Sequence, residues 1–109
     1  MGAAFYVEFE DPTWRHVHAE ELQGRLAALP TYVSRQPDGA FWLRGTKAGR
    51  PDADWDYDVR VFPEHQSRIL LEISVHPPSI EADLTDFLSW LRGRTAIRVV
   101  DEDGQDSGW

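Results

Sequence analysis

The predicted fold is decided by the stretch Asp52-Ala53-Asp54-Trp55-Asp56-Tyr57-Asp58-Val59-Arg60-Val61-Phe62, in which four aspartates stand at every second position. An extended chain sends successive side chains to opposite faces of a sheet. The spacing therefore predicts a strand over residues 55–62 with one apolar and one acidic face. The apolar face would carry Trp55, Tyr57, Val59 and Val61, and the acidic face would carry the aspartates.

Working outward from this strand, the hydrophobic periodicity predicts an α+β domain. Alternation predicts further strands over residues 5–10, 31–35, 40–44, 68–75 and 95–100. Leu22, Leu26 and Leu29 mark a helix over residues 19–29, and Ile80, Leu84, Phe87, Leu88 and Leu91 mark a second. The predicted order is β-α-β-β-β-β-α-β, a two-layer sandwich with a mostly antiparallel sheet and both helices on one face.

The second face of this sheet is left for solvent or a partner. Trp42 is the candidate anchor there, because interfaces favour aromatic and arginine side chains inside a polar rim. The predicted partner-binding residues are Asp52, Asp54, Asp56, Asp58, Arg60, Trp42 and Glu72.

The composition indicates one domain in a 109-residue chain. It is expected over residues 1–100, and the acidic residues 101–109 are expected to form a loose C-terminal tail. With no cysteine, thiol catalysis and thiolate metal sites are excluded. The N-terminus does not read as a signal peptide, and no apolar run approaches the ~20 residues that span a bilayer. The default location is the cytoplasm.

The charge balance favours a basic protein as partner. Nineteen acidic residues oppose eleven lysines and arginines, for a formal net charge of −8. Such a surface repels phosphates and anionic lipid and attracts cationic proteins, so direct nucleic-acid binding is not expected.

Two patterns in the sequence bear on metal binding. The aspartates match the first positions of a calcium loop, but Tyr57 stands where that loop needs glycine and Pro63 where it needs glutamate. His16 and His18 would share a face on a strand, where a third ligand could complete a zinc site. No metal site, cofactor or catalytic residue is predicted. A small metal- or ligand-dependent enzyme domain, or a structural adaptor using the open sheet face, stays as the alternative.

In size, acidity, lack of cysteine and its predicted acidic strand over residues 52–58, the chain resembles the small immunity proteins of bacterial polymorphic toxin systems, including contact-dependent inhibition. The resemblance implies a cytoplasmic, non-enzymatic inhibitor that covers the active site or substrate groove of a basic, nuclease-like toxin. It implies no catalytic residues.

Overall fold

A computed structural model describes residues 3–45, 57–65, 67–74 and 77–109. The described residues form six strands and three helices: β1 (Ala3–Phe9), α1 (Pro12–Val17), α2 (Ala19–Ala27), β2 (Tyr32–Arg35), β3 (Phe41–Leu43), β4 (Val59–His65), β5 (Arg68–Ile73), α3 (Pro78–Arg92) and β6 (Ile97–Val100). The predicted α+β class and the order of its elements are confirmed, with the short helix α1 added before α2.

The strands form one antiparallel sheet in the spatial order β2-β3-β4-β5-β1-β6. Strands β2 to β5 follow one another as a meander. The first strand, β1, lies between β5 and β6, so Tyr6 pairs with Leu70 on one side and with Val100 on the other. The first and last strands are therefore neighbours, with β6 at the edge of the sheet.

Both longer helices pack on the same face of the sheet. Inward side chains of the strands and the leucine stripes of α2 and α3 form one buried cluster, in which Val7, Leu26, Leu71 and Phe87 are fully buried. The helices lie side by side, since Arg25 of α2 is 3.4 Å from Asp86 of α3. The other sheet face is therefore not covered by a helix among the described residues.

Local sequence explains where these elements begin and turn. Asp11 caps α1 by accepting hydrogen bonds from the amides of Thr13 and Trp14, and Pro12 occupies the first turn, where its missing N–H is not needed. The predicted turn at Gln36–Gly39 joins β2 to β3, and Gly39 adopts a φ of 91°, which glycine tolerates without strain.

Strand β4 lies further along the chain than predicted, because Pro63 continues the strand instead of ending it. The pairing of β4 with β5 shifts register between Phe62 and His65. A proline is tolerated at such a bulge, since it has no N–H to donate to the ladder. Its carbonyl accepts a hydrogen bond from Arg15 Nη1 at 3.2 Å.

The C-terminal residues 101–109 were expected to be a loose tail, and this prediction is wrong. The segment turns at Asp101 and returns along β6, where the Ser107 amide donates to the carbonyl of Val99. The Trp109 ring then meets Phe5 edge to face at 6.1 Å, and Arg92 donates to the backbone oxygen of Trp109 at 2.7 Å. Residues 101–109 are called the C-terminal segment below.

In the described ranges, none of the helices combines the length and apolar character that crossing a bilayer requires.

Candidate protein-binding face

The sheet face opposite the helices carries three of the predicted partner-binding residues side by side. Trp42 of β3 pairs with Arg60 of β4, and Arg60 pairs with Glu72 of β5. Because directly paired residues on adjacent strands point to the same face, the three side chains form one cross-strand row. We call this surface the open sheet face; it comprises Tyr6, Glu8, Trp42, Tyr57, Arg60, Phe62, Arg68, Leu70 and Glu72, all partly exposed.

Arg60 is held in place on this face from three sides. Its Nη2 lies 2.8 Å from Glu72 Oε1, and the two side chains are 35% and 38% exposed. Its guanidinium carbon is 5.2 Å from the ring centre of Tyr57 and 5.8 Å from that of Phe62. Trp42 completes the cluster, with its ring 4.8 Å from that of Tyr57. A guanidinium stacked in this way loses less freedom when it meets a partner.

A second arginine–glutamate pair repeats this pattern further along the sheet. The guanidinium carbon of Arg68 lies 4.1 Å from the ring centre of Tyr6, and its Nη1 is 3.7 Å from Glu8 Oε2. The open sheet face is thus a surface of rings and balanced ion pairs. The charges of these two pairs are neutralised within the molecule, so the described part of this face is a mixed aromatic and charged surface.

The predicted exposure of Asp58 is wrong, because its side chain is fully buried. The Asp58 carboxylate accepts a hydrogen bond from the Gly45 amide at 2.7 Å, while the Asp58 amide donates to the carbonyl of Leu43. Asp58 lies in a bend just before β4, so the alternation that continues through Val59 and Arg60 does not extend back to it. The same bend places Tyr57 on the open sheet face and not in the core.

Gly45 meets Asp58 at a close junction beside the start of α3. A Cβ on Gly45 would lie 2.5 Å from Pro77 Cγ, 2.9 Å from Ser79 Oγ and 3.1 Å from Asp58 Oδ2. Only glycine fits there without displacing a neighbour. Asp58 therefore ties the residues that follow β3 to the start of β4, and its carboxylate does not lie on a docking surface.

The remaining aspartates of the predicted acidic strand, Asp52, Asp54 and Asp56, lie outside the described residues, as does Trp55. The partner-binding role predicted for them stays a prediction.

The histidine pair considered as a metal site lies on helical and turn backbone instead of a strand. His16 belongs to α1 and is exposed, whereas His18 follows that helix and stacks on Trp14 with 4.5 Å between ring centres. His18 Nδ1 is also 2.9 Å from the carbonyl oxygen of Trp14. No group of three or more histidine, cysteine, aspartate or glutamate side chains in the described part of the chain is arranged to hold a metal ion.

Sequence reasoning identified Trp42, Arg60 and Glu72 but not the rings that hold Arg60. Phe62 could have been found, because it stands two residues after Arg60 and alternation puts both on one face. The contact between Arg68 and Tyr6 depends on β1 pairing with β5, and no local pattern reports that pairing.

No family model matches this chain, and neither a curated protein nor a solved structure matches it.

Proposed function

We propose that this protein is a cytoplasmic, non-enzymatic inhibitor of the immunity type, which neutralises a basic, nuclease-like toxin by covering its active site or substrate groove. The observation that carries the proposal is the cluster of Trp42, Tyr57 and Arg60 on the open sheet face. Tryptophan, tyrosine and arginine are the residue types that most often dominate binding energy in protein interfaces.

Net charge and direct contacts have different roles in binding, because the ion pairs of the open sheet face are already formed within the molecule. Because Glu72 is already paired with Arg60, its carboxylate adds little free attraction at short range. The net charge of −8 instead acts at long range and draws a cationic protein toward the domain. Short-range affinity then comes from desolvating the rings of Trp42 and Tyr57.

Capture followed by inhibition tests the proposal. The immobilised protein is exposed to a lysate of its source cells at low salt, and each captured basic protein is identified, purified and assayed for its own activity. We expect this chain to abolish that activity at one-to-one stoichiometry. The Trp42→Ala variant should weaken the complex about 30-fold, as expected for a hot-spot residue worth about 2 kcal/mol.

The matched control is Val17→Ala, which removes an apolar side chain that is 68% exposed on α1, away from the open sheet face. It should leave inhibition unchanged. Urea denaturation of both variants establishes that they are folded. The proposal is refuted if no captured protein loses activity, or if Trp42→Ala inhibits as well as the wild type.

The salt dependence of the rate constants distinguishes long-range attraction by the net charge from short-range ring contacts. The association rate should fall steeply between about 0.05 and 0.5 M NaCl, because screening shortens the range of the net charge. The dissociation rate should change much less, since buried ring contacts are not screened. A steep salt dependence of dissociation alone would contradict this assignment.

A further inference from the structure

A recess of about 290 Å³ lies at one end of the open sheet face. Residues of β1, β4 and β5, the residue that follows β5 and one residue of the C-terminal segment line it: Ala3, Ala4, Arg60, Glu72, Ile73, Ser74 and Glu102. Its volume is at the lower limit of sites for small organic ligands. It is large enough for one side chain of a docked protein.

The two carboxylates of the recess are positioned by contacts within the domain. Glu102 Oε1 accepts a hydrogen bond from the Ala4 amide at 3.0 Å, and Glu72 Oε1 pairs with Arg60 at 2.8 Å. A carboxylate offers about four acceptor positions, so each of these contacts leaves others available. The recess thus holds acceptor oxygens whose orientation is already fixed.

The charge of the recess favours a cation over an anion. Arg60 and Glu72 balance one another, which leaves Glu102 as the uncompensated charge among the lining residues. The net charge of −8 adds a negative potential, which also favours a cation.

We propose that this recess receives a lysine or arginine side chain of the protein partner, which pairs with Glu102 beside the neutralised Arg60–Glu72 pair. The inference rests on the proposed function, and it makes the C-terminal segment part of the interface. It also gives a role to the contact between Arg92 and Trp109. This contact holds the C-terminal segment against the domain, so that Glu102 stays beside β1.

The test uses N-acetyl-arginine amide as a probe of the recess, followed by amide chemical shifts in ¹⁵N-labelled protein. The Ala4 amide, which donates to Glu102, and the Ser74 amide should shift in a saturable manner. N-acetyl-citrulline amide has nearly the same shape without the charge, and it should shift them far less. N-acetylglycine, an anion, should not shift them.

Two variants separate the recess from the net charge. Glu102→Gln keeps an acceptor for the Ala4 amide but removes the charge, so the affinity for N-acetyl-arginine amide should fall about two- to five-fold. Asp103→Asn removes the same charge from the neighbouring, exposed residue and should bind like the wild type.

Equal affinities in all three proteins, absence of shifts at Ala4 and Ser74, or equal binding of the citrulline amide would overturn the inference. These outcomes leave the proposed function standing if the inhibition assay still responds to Trp42→Ala. Conversely, charge-dependent probe binding without any inhibited partner would refute the proposed function and retain the cation-binding recess.

Discussion

Replacing Asp58 by alanine gives the sharpest test of the structure, because the sequence pattern and the structure predict opposite results. If Asp58 were part of an exposed acidic strand, its removal would relieve repulsion among neighbouring aspartates and change stability by less than about 0.5 kcal/mol. In the structure the Asp58 carboxylate is fully buried and accepts a hydrogen bond from Gly45. Alanine leaves that buried amide without this partner.

The expected loss is about 2–3 kcal/mol, because the hydrogen bond to Gly45 is removed and its buried amide loses this acceptor. For a domain of this size, that lowers the midpoint of thermal unfolding by about 8–12 °C. Asp58→Asn keeps an acceptor oxygen and should lose less than half as much. The free energy of unfolding is measured by urea titration, with tryptophan fluorescence as the signal.

The matched control is Asp103→Ala, since Asp103 is an exposed aspartate of the C-terminal segment. It should remain within about 0.5 kcal/mol of the wild type. An Asp58→Ala variant as stable as this control would refute the buried junction and restore the exposed acidic strand as the better description.

Two further variants test contacts that join distant parts of the chain. Asp83→Ala removes the acceptor for both the amide and the hydroxyl of buried Thr31, which lie 2.9 and 2.7 Å from the Asp83 carboxylate. The free energy of unfolding in urea should fall by about 1–3 kcal/mol. A loss no larger than that of Asp103→Ala would contradict the contact. Trp109→Ala should lower the free energy of unfolding by about 1–3 kcal/mol, which is less than the loss expected for a fully buried tryptophan. It should also speed hydrogen exchange of the Ser107 amide. Unchanged exchange would show that the C-terminal segment is held without the ring.

The local periodicity of hydrophobic residues was sufficient to predict the class of fold. Val7 and Leu71 stand in alternating segments, and Leu22 and Leu26 stand one helical turn apart, so each buried face could be assigned from spacing alone. The position of β1 between β5 and β6 could not be predicted, because it depends on pairings between residues far apart in the sequence.

The candidate site was only partly predictable for the same reason. Alternation placed Arg60 on the outward face, but it left open whether Trp42 or its neighbours Phe41 and Leu43 faced outward. The pairing of Trp42 with Arg60 puts Trp42 on that face. It failed at Asp58, where the hydrogen bond to Gly45, two residues past the end of β3, outweighs the local pattern. Composition also misjudged residues 101–109, because a polar segment needs only one large ring, Trp109, to pack against a core.

The position of β1 between β5 and β6 has a consequence for how the domain folds. Strand β1 precedes both of its neighbours in the chain, since β5 begins only at Arg68 and β6 only at Ile97. Until those two strands are in place, both edges of β1 are unpaired. The sheet therefore closes only when β6 can pair with β1, and these long-range pairings are expected to make folding slow.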